Sequence, residues 1–187
     1  MRLVIGLVSA ILLVAPAGAA VTVIGSSAAR ICYEAAKSAR VSRDGVAHCD
    51  AALADGGMTG DDEVATYVNR GILRAIGGDV GGAASDYDAA LARDPGEAEA
   101  WLNKGFLMLR TEQISAAVPM FDAAIARKTA EPGLAHYGRA VAHELLGDVR
   151  AAYADYRRAT ELAPAWDVPR AELARFQVRG TGDKRGH

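Results

Sequence analysis

Tyr67-Val68-Asn69-Arg70-Gly71 and Trp101-Leu102-Asn103-Lys104-Gly105 carry the same series twice, 34 residues apart: aromatic, aliphatic, asparagine, cation, glycine. The same offset takes Ala83 to Ala117, Tyr87 to Phe121, Asp88 to Asp122 and Ala90 to Ala124. A third copy follows at offset 35, taking Ala117 to Ala152, Phe121 to Tyr156 and Ala124 to Ala159. Its extra residue falls around Glu131-Pro132-Gly133. Gly78-Asp79 returns as Gly147-Asp148, and Pro95 as Pro164. A period of this size marks stacked supersecondary units. Each unit reads as a first helix of roughly fourteen residues that ends near a glycine, where a left-handed cap costs little. A second helix then carries small alanines where two helices touch, with an aromatic four residues on. Neither helix buries its apolar stripe alone, so neighbouring units must stack.

Composition agrees. The chain has 187 residues, 51% of them apolar but only 6% aromatic, and a net charge of −2. That excludes a disordered chain and a strongly basic nucleic-acid binder. Alanine-rich apolar content suits closely packed helices better than a Val- and Ile-rich sheet.

The pattern resembles the tetratricopeptide repeat family. Its signature positions are met in unit one by Tyr67, Gly71, Ala83, Tyr87, Ala90 and Pro95. Unit two gives Trp101, Gly105, Ala117, Phe121 and Ala124, with Thr129 in place of the proline. Unit three gives His136, Ala140, Ala152, Tyr156, Ala159 and Pro164. The family's leucine before the small residue is replaced by Arg70, Lys104 and Arg139, so that position is expected to snorkel. The expectation is an all-α, right-handed superhelix of helical hairpins. Its units would span residues 64–97, 98–131 and 133–166, followed by a capping helix over 167–179 and a flexible tail over 180–187.

Upstream, Met1-Arg2 precedes an uncharged apolar run from Leu3 to Ala15, then Pro16 and Ala17-Gly18-Ala19. That order predicts a signal peptide over 1–19, cleaved after Ala19 or Ala20, because the run is too short to span a bilayer. Cleavage takes only Arg2 from a chain of net charge −2 and leaves −3. The expected location is periplasmic or secreted. Residues 20–60 read as a helical hairpin and linker, with Cys32 and Cys49 on facing helices. In an oxidising compartment such a pair predicts one disulfide, closing ~18 residues and contributing roughly 3 kcal/mol. Cys49-Asp50-Ala51-Ala52-Leu53 resembles Tyr87-Asp88-Ala89-Ala90-Leu91, so the hairpin reads as a degenerate unit. Thr59 or Asp61 is the expected cap of the helix that follows, and Ser26 or Ser27 of the first.

No enzyme is visible, and neither a cofactor nor a metal is expected. Gly77-Gly78-Asp79-Val80-Gly81-Gly82 lacks the Lys-Ser/Thr of a phosphate loop and falls at a turn between helices. His136 and His143 lack further ligands at short helical spacing. Ser26 and Ser27 lack a nucleophile elbow, and Asp61-Asp62-Glu63 suits a helix start. Arg170, Arg175, Arg179, Lys184 and Arg185 form a basic end that reads as a solvated face. The rival readings are a thiol-dependent redox enzyme or metal carrier using Cys32, Cys49 and His48, and a self-associating structural protein.

The resemblance implies a protein-interaction module that binds an envelope protein or peptide in the groove of the first helices. Carried onto this chain, that surface is Val68, Asn69, Ile72 and Ile76, then Leu102, Asn103, Phe106 and Arg110, then Tyr137, Val141 and Glu144. Members that grip a terminal carboxylate use Lys and Asn where Val68, Ile72, Leu102 and Phe106 stand, so that mode is not expected. Asn69 and Asn103 can hydrogen-bond an extended backbone, with Phe106 and Tyr137 as anchors. Gly138 interrupts the asparagine series in unit three. Two occupants are open from the sequence: an external segment, or the chain's own hairpin or Val21-Thr22-Val23-Ile24 folding back. The repeat phase itself is testable. Ala117→Leu should lower stability by about 1–3 kcal/mol through overpacking, read by thermal melting, and parent-like melting would show the phase of unit two to be wrong.

Overall fold

A computed structural model describes residues 19–38 and 43–176. Among these residues there are nine helices and no strand: α1 (Ser27–Lys37), α2 (Arg43–Asp55), α3 (Gly60–Ile76), α4 (Val80–Arg93), α5 (Ala98–Arg110), α6 (Ile114–Ala126), α7 (Pro132–Leu145), α8 (Val149–Leu162) and α9 (Asp167–Ala174). Helices pair as α1·α2, α3·α4, α5·α6 and α7·α8, and α9 packs on α8. The first helices α3, α5 and α7 lie side by side. Residues 1–18 of the expected signal peptide, residues 177–179 of the expected capping helix and the tail over 180–187 lie outside the described residues; Ala19 is described, and α9 ends at Ala174, short of the expected residue 179. Helix α3 begins at Gly60, ahead of the unit boundary read at residue 64, because Thr59 supplies the cap: its hydroxyl accepts from the Asp62 N–H at 3.2 Å. Asp61, Asp62 and Glu63 then sit in the first turn, where the macrodipole favours negative charge. Ser26 caps α1 through Ala29 N–H. The five residues between α6 and α7, against four between α4 and α5, hold the extra residue of the third repeat.

Packing explains the periodic small residues. Ala83, Ala117 and Ala152 are fully buried, as are Tyr87, Phe121 and Tyr156 on the same second helices. A Cβ added to Gly71 would meet the Tyr87 ring at 2.5 Å, and one added to Gly105 would meet Phe121 at 2.8 Å. The aromatic of each second helix thus lies directly on the small residue of the first. Unit three accommodates Ala140 at that position, also fully buried.

The cations that replace the family's leucine join units together. Arg70 Nη1 lies 2.6 Å from Asp50, Lys104 Nζ 2.5 Å from Asp88, and Arg139 Nη1 2.6 Å from Asp122. In each case the acid belongs to the second helix of the preceding hairpin. Asp50 plays this part in α2, so the N-terminal hairpin stacks as a repeat does. Cys32 and Cys49 are disulfide-bonded across it, both fully buried.

The turns inside the hairpins differ. Gly78 (φ 88°) and Gly147 (φ 82°) adopt the left-handed conformation, and Asp79 and Asp148 cap the next helix through Gly82 and Ala151 N–H. In unit two that backbone is held by Glu112 (φ 59°), and Gln113 makes no cap bond. Left-handed backbone costs a side-chain-bearing residue roughly 1–2 kcal/mol. Glu112→Gly should therefore stabilise the chain by about 1 kcal/mol, seen as a raised melting temperature. A lowered one would show that the Glu112 side chain contributes more than its backbone strain removes.

Candidate functional site

Asn69, on α3, is fully buried, yet its amide is not spent inside the helix pair. Its Oδ1 accepts from Val21 N–H at 2.9 Å and its Nδ2 donates to the Val21 carbonyl at 2.7 Å. One unit on, Asn103 Nδ2 donates to the Ala19 carbonyl at 3.3 Å and to Glu99 O at 2.8 Å. Asp62 accepts from Ile24 N–H at 2.9 Å. Residues 19–24 thus lie extended along the face of the first helices, from unit two back to unit one, before turning into α1. Their side chains alternate. Ala19 packs in the core shared by units two and three, and Val23 packs against Ala29, Ala52 and Ala65. Thr22 and Ile24 face out.

The other residues read as groove lining have separate fates. Val68, Ile72 and Leu102 are buried. Ile76 is half-buried, and Arg110, which is exposed, donates to the Ala75 carbonyl. Phe106 and Tyr137, expected as partner anchors, spend their rings inside the protein: Phe106 meets Phe121 edge-on at 5.0 Å, and Tyr137 meets Trp166 at 4.9 Å. Val141 is buried, and Glu144 accepts from the Tyr156 hydroxyl at 2.8 Å and from Arg175 at 3.0 Å. The unit-three stretch of the face therefore packs against the C-terminal cap.

Two carboxylates are buried between paired helices. Asp86 takes three hydrogen bonds from Arg70 and one from Arg74. Asp155 takes bonds from Arg139 and His136 Nδ1, so His136 serves as an acid partner where Tyr67 and Trp101 stack under Arg93 and Arg127. Burial works against the Asp155 carboxylate, but the hydrogen bonds and charge of His136 and Arg139 outweigh it and lower its pKa. No group of three metal ligands occurs among the described residues.

Sequence reading missed the rim of the occupied face. Two clefts, of about 200 and 620 Å³, flank residues 19–24 and are lined by Asp61, Asp62, Asp94 and Glu97 and by Glu99 and Glu131. A signal was present: Glu63, Glu97 and Glu131 recur at 34 residues, at the start of each first helix. Glu97 is pushed up to about 7, by burial first and then by Glu99 and Asp94.

Comparison with known proteins follows the same lines. A family described as "Tetratricopeptide repeat" matches residues 69–112 and 107–165, over half the chain. No curated protein matches it significantly. The solved structure of "MamA RS-1 ArsTM double mutant" is similar in fold, with a TM-score of 0.64 at 19% identity, covering 79% of this chain and 82% of that one.

The raised pKa of Glu97 has a stability consequence. The unfolded chain titrates this group near 4.5 and the folded chain near 7, so folding favours the protonated acid. The stability it allows is present below pH ~4.5 and is lost as pH rises toward ~7. Glu97→Gln keeps the acceptor for Glu99 N–H and should raise the melting temperature above neutrality while leaving it unchanged in mild acid. An equal shift at both pH values would contradict the assignment.

Proposed function

The chain belongs to the tetratricopeptide repeat family, and from that premise we propose that it is an exported interaction module whose first-helix groove takes an extended peptide segment. The repeat stack provides a protein-binding scaffold, the use to which this family is generally put without catalysis. The observation that carries the finer reading is Asn69. A buried side-chain amide that satisfies both the N–H and the C=O of one residue reads main chain in extended form, whatever the side chains. Asn103 repeats the donation to a main-chain carbonyl one unit along. Specificity then rests on the alternate side chains that enter the face.

Export is supported by the signal-like N-terminus and by a buried disulfide, which persists in oxidising compartments. The cysteines of the rival thiol-dependent reading, Cys32 and Cys49, are joined in that buried disulfide.

The test is capture of envelope proteins by the purified chain, compared across variants whose melting confirms a folded repeat stack. Asn69→Ala and Asn103→Ala should each lower recovery of the same partner several-fold, while Arg150→Ala, on an exposed position of α8, should leave it unchanged. Full recovery by both asparagine variants would place the binding surface elsewhere. Export is checked separately: the protein recovered from the envelope should begin at Ala20 or Val21.

A further inference from the structure

The N-terminal hairpin is built differently from the three units that follow it. Each of those buries a ring on its second helix: Tyr87, Phe121 or Tyr156. In α2, Cys49 stands at that place in the series, ahead of Asp50-Ala51-Ala52-Leu53. Among the described residues, α1 and α2 bury the side chains of Ala29, Cys32, Ala36, Cys49 and Ala52, none larger than cysteine. Helices of 11 and 13 residues are marginal on their own, and alanine side chains supply little apolar area. The cystine therefore does for this hairpin what a ring does for the others, and unlike a ring it can be undone by thiols. The groove segment is packed onto the same hairpin. Val21 packs on the cluster that holds Cys32 and Cys49, and Val23 packs among Ala29 of α1, Ala52 of α2 and Ala65 of α3. Asn69 and Asp62 of α3 hold its backbone at Val21 and Ile24. All these contacts lie at Val21 and beyond, so the expected cleavage after Ala19 or Ala20 leaves them in place, with the Val21 nitrogen a donor in either case. Residues 21–24 run directly into α1 through Gly25 and the cap Ser26. Segment and hairpin thus share one tether and one packed surface.

We propose that the Cys32–Cys49 bond is a redox latch on the groove. As cystine it holds α1, α2 and residues 21–24 against unit one. A dithiol, small or protein-borne, passes two electrons and two protons to the cystine through a mixed disulfide and becomes a disulfide itself. The two freed thiols no longer hold α1 to α2, and hairpin and segment leave unit one together. The three units keep their ring contacts and stay folded. The Asn69 amide, and the aliphatic floor at Val68 and Ile72 that is buried with the cystine, then open to solvent. The latch goes beyond the peptide-binding reading and does not rest on it, since it sets whether the face is covered, whatever enters it. The dependence also runs the other way. Both cysteines are fully buried, so a thiolate reaches the bond only when the hairpin opens locally, and a docked segment opposes that opening.

The test compares the mature chain oxidised and in excess dithiothreitol, with the double variant Cys32→Ala, Cys49→Ala as a check free of reductant. Hydrogen exchange is read along the backbone, and the side-chain amide of Asn69 is followed by NMR. Reduction should strip protection from α1 and α2 and from the Asn69 amide together, while α3 to α8 keep theirs; the double variant should behave as the reduced chain does. An Asn69 amide that stays protected without the disulfide overturns the latch, because the segment then docks unaided. Loss of protection along the whole chain also overturns it, because the bond is then a staple of the entire fold. The reverse dependence is read as the rate at which dithiothreitol reduces the oxidised chain. Asn69→Ala and Val21→Pro remove the contact from either side, the second from outside every helix. Each should speed reduction roughly 10-fold, as the loss of one or two hydrogen bonds allows, while Arg150→Ala should leave the rate unchanged. Reduction no faster in either contact variant than in the unaltered chain overturns the coupling of segment and latch. None of these readouts involves a partner, so their failure is separate from failure of the capture experiment.

Discussion

Each unit of this protein depends on one contact: the ring of a second helix laid on a residue with little or no side chain in the first. Tyr87 covers Gly71 and Phe121 covers Gly105, and unit three buries Tyr156 and Ala140 at the corresponding positions. With 6% aromatic residues in the chain, these few rings supply the large buried surfaces, and alanines let the helices approach closely enough to exclude water around them. The distance between paired helices, and hence the width and line of the face formed by α3, α5 and α7, follows from that contact. A methyl group added at Gly71 would push the pair apart, and the asparagines on the inner face would lose their common line.

Charge divides into two populations with different work. Acids on the second helices meet a cation from the following unit, and the buried Asp86 and Asp155 are locked between paired helices by several donors each. The exposed pairs contribute little individually, but they occur at one place in every interface, and a shifted register would leave each cation facing the wrong residue. The series stops at Arg157, which stands where Asp88 and Asp122 stand in earlier units. The acids along the groove rim have no cation partner among the described residues; they are held instead at helix starts and by donors such as the N–H groups of Ile24, Gly96 and Ala130.

The sequence by itself determined the repeat, its phase and its helical content, because those are local: a period of 34, glycine where the backbone turns left-handed, alanine where helices touch. It determined the disulfide pair, since only two cysteines exist, and it marked Asn69 and Asn103 as main-chain readers, since their spacing puts them on one face. Even the acidic rim was partly legible in Glu63, Glu97 and Glu131.

Tertiary structure alone decided what the asparagines read. Residues 19–24 have no periodicity of their own, and a short extended segment gains its hydrogen bonds only from wherever it lands. The groove accepts backbone of any sequence, so nothing in the residues distinguished an internal occupant from an external one. The same holds for Phe106 and Tyr137, whose positions on the first helices fitted an open surface as well as a covered one. They became core because Phe121 and Trp166, far from them in sequence or in another element, closed over them. Local pattern fixes the stack, since each unit repeats the same short-range contacts. Which surface stays open depends on contacts such as Val21 with Asn69, 48 residues apart, which no local pattern encodes.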